Sequence, residues 1–214
     1  QKSGLEEEKI ISIYKSSDSS IWSGTYGGGA FRFKNKKFTR CFWEQGISES
    51  IIKSIVEDSH GNILLGTSGG GVSIISKENT QKQLQVSKVI SELNNLSSNY
   101  VSYLYRASNG AIWVGYQSSS KIDRIILNKD FSFTITTFPI TNLSNFNVSC
   151  LLEDDNQNIW ITSNEGVWKL TPKTGYVDNE FTIFKNIQTI AKDWNGNMWI
   201  GSSDVGAIIL KNKL

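Results

Sequence analysis

The sequence predicts an all-β fold, a β-propeller with about five four-stranded blades that form part of a larger array, and three observations predict it. The first is a repeat. Residues 52–75 read IKSIVEDSHGNILLGTSGGGVSII and residues 10–33 read IISIYKSSDSSIWSGTYGGGAFRF, with ten identities in twenty-four positions and no gap. The second is that three more copies follow, containing VSYLYRASNGAIWVGY, VSCLLEDDNQNIWITSNEGVWKL and IQTIAKDWNGNMWIGSSDVGAIIL. A marker position is held in turn by Trp22, Leu64, Trp113, Trp160 and Trp199, at spacings of 42, 49, 47 and 39 residues, which are blade lengths. The third is the texture of the copies: β-branched runs punctuated by glycine, without the apolar spacing of three and four that a helical repeat requires.

Within a copy, the opening apolar run (Ile10 and Ile13, Ile52 and Ile55) is an inner strand. A polar turn of Asp, Ser, Asn and Gly follows, then a second strand that ends at Gly24-Thr25 or Gly66-Thr67. The triple glycines 27–29 and 69–71 supply the next reversal. In order from the channel outward, the second blade has strands 51–57, 63–67, 72–76 and 83–86. The third has 101–106, 112–116, 122–127 and 132–138, and the fourth 148–153, 159–163, 167–170 and 181–184. The first blade closes with 37–42, and the fifth stops at Leu210 without an outer strand. The blades occupy about 1–46, 47–95, 96–143, 144–185 and, incomplete, 186–214. The marker Trp fills the wedge between neighbouring sheets, a burial that contributes roughly 2 to 3 kcal/mol. Pro139 and Pro172 are expected between strands, where no ladder donor is missed.

Composition excludes several classes of partner. A net charge of +2, with no run of one sign beyond Glu6 to Glu8, gives neither a nucleic-acid stripe nor a membrane-binding face. No charged-then-apolar leader and no long apolar run is present in these residues. Cys41 and Cys150 have no metal-type spacing and no activating basic neighbour, so they read as free buried thiols. His60 is the sole histidine and sits in a turn, which leaves no Ser/His/Asp system and no metal site to build. Asp58 and the pair Asp154-Asp155 precede hairpin turns and read as turn carboxylates. GTYGGGA and GTSGGGV are followed by neither Lys-Ser/Thr nor a helix, as a phosphate loop would be. The sequons at Asn95, Asn142 and Asn147 are expected by chance in a chain this rich in Asn and Ser. No cofactor, no metal and no catalytic residue is expected.

EDSHGNILLGTSGGGV, DDNQNIW and DWNGNMWIGS resemble the two-component regulator propeller repeat: a strand, D-x-x-G, an apolar-Trp-apolar-Gly-Thr strand and a Gly-Gly turn. The departures are Ala107-Ser108 in place of an acidic turn, Leu64 for Trp, and Thr162-Ser163 for Gly-Thr. The resemblance implies the periplasmic part of a hybrid two-component sensor histidine kinase of the Bacteroidetes type. It implies glycan fragments as the signal, and more blades than five.

Loops that precede inner strands or follow second strands share one face of a propeller, where binding loops converge. They contain Tyr26, Trp43, Glu44, Gln45, Glu49, Asn94, Asn95, Asn99, Gln117, Asn142, Asn145, Asn147, Asn164, Glu165 and Asp204. Trp43, Glu44, Asn94, Asn95, Asn145 and Asn164 are the candidate ligand residues, because amides pair with hydroxyls and an aromatic ring covers the C-H face of a sugar. The leading expectation is a ligand-sensing module that binds an oligosaccharide. A non-catalytic interaction or dimerisation propeller is the alternative, and a propeller lyase or hydrolase the second. An array lacking its last outer strand is also expected to associate with another copy through its terminal blades, or to be marginally stable.

Overall fold

The computed structural model describes residues 9–81, 83–141, 143, 145–181 and 184–211, and in it the five copies are five antiparallel sheets. Blade 1 is β1 (Ile10–Lys15), β2 (Ile21–Thr25), β3 (Ala30–Lys34) and β4 (Lys37–Cys41). Blade 2 is β5 (Ile52–Glu57), β6 (Ile63–Thr67), β7 (Val72–Ile75) and β8 (Val86–Ile90). Blade 3 is β9 (Val101–Arg106), β10 (Ile112–Tyr116), β11 (Lys121–Leu127) and β12 (Phe133–Pro139). Blade 4 is β13 (Val148–Glu153), β14 (Ile159–Ser163), β15 (Gly166–Thr171) and β16 (Tyr176–Phe181). Blade 5 has three strands, β17 (Ile187–Lys192), β18 (Met198–Ser202) and β19 (Gly206–Leu210). The acidic run 6–8, Asn142 and Ser144 lie outside the described residues.

One register serves all five copies. The marker side chain stands opposite the next-to-last residue of the inner strand: Trp22 opposite Tyr14, Leu64 opposite Val56, Trp113 opposite Tyr105, Trp160 opposite Leu152 and Trp199 opposite Ala191. The same bulge follows the first residue of each inner strand, so the first pair and the rest of the ladder are offset alike throughout. On the third strand, facing the marker, Arg32 lies over Trp22, Arg124 over Trp113 and Lys169 over Trp160, 5.4 to 5.9 Å from ring centroids. Where the marker is Leu64, the facing residue is Ile74.

The core lies between blades. Trp22 shares a buried cluster with Ile52, Ile55 and Ile63 of blade 2, Leu64 with Leu104 and Ile112 of blade 3, and Trp113 with Leu151 and Ile159 of blade 4. Trp160, partly buried, packs on Ile190 and Met198 of blade 5. Glycine sets how closely blades approach. A Cβ on Gly24 would stand 2.5 Å from the Ile52 carbonyl, one on Gly66 2.7 Å from Val101, and one on Gly115 2.5 Å from Val148. Each of these contacts is to the first inner-strand residue of the next blade.

Several expectations are corrected. The outer strand of blade 2 is Val86–Ile90 rather than 83–86, because a one-turn helix, α1 (Lys77–Gln81), follows Ile75 and delays the return. Ser76 begins that turn, its carbonyl accepting from the Thr80 N-H and its Oγ from the Asn79 N-H. Blade 4 closes with Tyr176–Phe181 rather than 181–184, since the tight turn at Gly175 (φ 71°) brings Tyr176 straight back onto Thr171; residues 182 and 183 lie outside the described residues. Pro139 ends β12 instead of lying between strands, paired with Lys121 on an outermost strand, where a missing N-H is tolerated. Trp199 is not buried: it is 43% exposed, against 1% for Trp22.

The exposure of Trp199 has a counterpart at the other end. Ile10, Ile13, Ile21 and Phe33 are exposed on blade 1, while the residues that take their places in the inner blades are buried; Ile13 is 71% exposed and its equivalent Ile55 5%. Inner strands pack in the order β1, β5, β9, β13, β17, and among the described residues no comparable packing joins β17 to β1. The marker is therefore buried only where another blade covers it. Trp113→Ala is expected to lower unfolding free energy by about 3 to 5 kcal/mol, and Trp199→Ala by under about 1 kcal/mol. Urea denaturation of the two variants checks this, and equal losses would contradict the packing scheme.

Candidate functional site

Sheet order places β1, β5 and β9 at the inner edges of their blades, so their outward backbone groups and side chains line an axial surface. Two cavities lie along it. One, about 490 Å³, is bounded by residues 11–14, 53–56 and 103–106. The other, about 560 Å³, lies at the turn end and includes Lys15, Ser17, Glu57, Asp58, His60 and Lys77. Tyr14 and Arg106 line both, which makes them one trough running along the inner strands.

The rim at the turn end is held by one repeated contact. The last residue of each inner strand reaches back to the first turn of the preceding blade. Glu57 accepts the Ser17 N-H (2.6 Å) and hydroxyl, Arg106 donates to the Asp58 carbonyl (3.1 Å), Glu153 accepts the Ser108 N-H (2.6 Å), and Lys192 pairs with Asp155 (2.6 Å). The residue type at this position changes sign from blade to blade while its direction stays the same. No recurring letter marks it, so sequence reasoning passed over Glu57, Arg106 and Glu153.

Asp58 and Asp154 are turn carboxylates as the sequence predicts, whereas Asp155 turns out to Lys192 of the next blade. Asp154 Oδ1 accepts the Asn156 and Asn158 N-H groups at 2.9 Å and its Oδ2 the Trp160 indole N-H at 3.0 Å; Asp193 does the same with Asn195, Asn197 and Trp199. Asp58 takes the His60 and Asn62 N-H groups at 2.8 Å. His60 Nδ1 stands 3.7 Å from Asp58 Oδ2, beyond hydrogen-bond distance. Both cysteines are free and buried, and burial pushes the Cys41 thiol up to about 12, far from a reactive thiolate. Among the described residues no group of three or more His, Cys, Asp or Glu side chains could hold a metal ion. Among them also, no helix is long and apolar enough to cross a membrane.

The six loop candidates occupy the opposite face. Trp43 and Glu44 belong to a one-turn 3-10 helix (Trp43–Gln45), and both are exposed. Asn94 ends a second such helix (Glu92–Asn94), with its Oδ1 on the Ser91 N-H, and Asn95 caps it at φ 69°. Asn145 and Asn164 meet: Asn164 donates to the Asn145 carbonyl (2.8 Å) and accepts the Asn147 N-H (2.8 Å). The structure thus brings the last two together, in a network that ties one connection to the next turn. None of the six lines either of the two cavities.

Residues 95–118 and 143–165, which span the inner hairpins of blades 3 and 4, match the family described as two component regulator propeller. No curated protein matches the chain. Among solved structures, the extracellular domain of a hybrid two-component system from B. thetaiotaomicron superposes with a TM-score of 0.76 at 22% identity, over 100% of this chain and 29% of that one. The extracellular domain of a one-component system from the same organism gives 0.76 at 19% identity, over 95% and 28%. Virginiamycin B lyase from Staphylococcus aureus gives 0.73 at 13% identity, over 98% and 72%. At these identities the likeness is one of fold, and the chain spans under a third of the two extracellular domains.

The Asp193 turn carries a pH dependence. Hydrogen bonds from Trp199 first, then Asn197, hold its carboxyl at about 2 against an ordinary 3.8. A depressed folded-state value means the stabilisation is whole above pH 4 and is lost as pH falls from about 4 to about 2. NMR titration of the Asp193 carboxyl should give a midpoint near 2, moving towards 3.8 in Trp199→Phe; an ordinary value in the parent chain would contradict the turn geometry.

Proposed function

We propose that this chain is the ligand-sensing propeller region of an extracytoplasmic two-component sensor, periplasmic in location, that binds glycan fragments and passes the signal to a histidine kinase elsewhere in the protein. The observation that carries the reading is the repeat itself. Two segments that match the two component regulator propeller family lie in frame with three further copies, in a fold shared over the full chain with an extracellular domain of a hybrid two-component system. A trough with tyrosines, backbone groups and cationic side chains suits hydroxyl-rich ligands, because N-H and O-H donors pair with sugar oxygens and ring faces cover C-H surface. The reading assigns this segment no catalytic step.

A second reading, a non-catalytic interaction module, is favoured by the uncovered apolar faces of blades 1 and 5. Calorimetry of the purified chain against a panel of neutral and acidic oligosaccharides, with light scattering on the same samples, separates the two. Saturable binding of at least one saccharide by a monomer is the expected result. Self-association with no saccharide bound would favour the interaction module.

A further inference from the structure

The charge of the axial trough is one-sided. Its two cavities are lined by four cationic side chains, Lys15, Lys53, Lys77 and Arg106, and by two carboxylates, Glu57 and Asp58. Both carboxylates are buried and committed inside the protein: Glu57 to the N-H and hydroxyl of Ser17, Asp58 to the N-H groups of His60 and Asn62 and the Asn62 amide. Among the described residues no carboxylate lines the cavity bounded by residues 11–14, 53–56 and 103–106.

The cations are less committed. Among the described residues no ion pair takes up Lys15, Lys53 or Lys77; Lys53 lies 5.9 Å from the Tyr26 ring centroid, and Arg106 gives one N-H to the Asp58 carbonyl. A guanidinium has five donors in a fixed fork, so one bond to a carbonyl leaves a face for an oxyanion. His60, the remaining titratable group of the turn end, faces Asp58. Tyr14 on β1 and Tyr103 and Tyr105 on β9 also line that cavity, the last two packed on the blade 4 cluster. Burial raises the pKa of Tyr103 and Tyr105, so both keep their O-H donors and add no negative charge.

We infer that this trough is the ligand subsite of the chain and that it selects acidic saccharides over neutral ones, the carboxylates of uronic acid units meeting Arg106 and Lys15 while sugar faces lie along the tyrosines. The inference rests on the sensor reading above and adds the ligand's charge and place. A guanidinium and an ammonium lining one concave site bind carboxylates through charge-assisted hydrogen bonds, which a neutral hydroxymethyl group cannot replace.

The test is calorimetric titration of the 214-residue chain with trigalacturonate and with galactotriose, the neutral counterpart, in the parent chain and in Arg106→Gln, Lys15→Gln and Trp43→Ala. Trigalacturonate is expected to bind at least about tenfold more tightly than galactotriose, and less tightly as salt is raised. Arg106→Gln and Lys15→Gln should each weaken it several-fold, with Trp43→Ala unchanged. Among the described residues the Lys15 side chain has no hydrogen bond or ion pair, so its variant stays informative if Arg106→Gln fails to fold. Equal or tighter binding of galactotriose overturns the charge selection while leaving a saccharide sensor in place. Loss of binding in Trp43→Ala with Lys15→Gln unchanged overturns the trough and returns the ligand to the loops. Binding of neither sugar overturns this inference, and failure of the whole saccharide panel overturns the sensor reading with it.

Discussion

The structure depends on one contact made four times: the side chain at the marker position of a second strand, Trp22, Leu64, Trp113 or Trp160, lying against the inner strand of the next blade. A propeller sheet has no core of its own, because four twisted strands bury little unless another sheet covers them. The glycine two residues after the marker in blades 1 to 3 lets the neighbour come close enough for that cover, and the inner-strand apolar residue at the Ile55, Leu104, Leu151 or Ile190 position fills the other side. Since each contact is directional, from one blade to the next, an array has a donor end and an acceptor end. Trp199 and Ile13 are those ends, and their exposure follows from their position and not from their type.

The same direction governs the rim. Glu57, Arg106, Glu153 and Lys192 each reach back to the preceding turn, so blades 2 to 5 are held to their predecessors by polar contacts near the channel as well as by apolar packing. The polar contact is partly buried at Glu57 and exposed at Lys192, so its energetic weight declines towards blade 5, where water screens it. What it fixes everywhere is orientation, and with it the shape of the axial trough.

Much of this was legible in the residues. Inner and second strands came out nearly residue by residue, because the register of marker, turn and glycine repeats in every copy. The outer strands of blades 2 and 4 did not. Each of them pairs with a single neighbour and comes after a connection of variable length, so neither the pattern at 86–90 nor the one at 176–181 is tied to the marker. Trp199 looks identical to Trp113 in sequence, and its exposure is decided by whether another blade stands against it in space. The trough was hidden for a different reason. Lys15, Glu57 and Arg106 share a place, at the end of an inner strand, and no residue type, whereas the loop asparagines drew notice by composition. Asn94 and Asn164 then proved to hold their own loops together.

If blade-to-blade burial holds the array, local stability must fall towards the ends, since terminal blades have cover on one face only. Hydrogen exchange followed by mass spectrometry measures this strand by strand. Amides of β9, β10 and β13, which sit between covered blades, should exchange slowest, and those of β17 to β19 faster, with β1 also faster than β5. Uniform protection across all five blades, or slower exchange in β18 than in β10, would contradict the account.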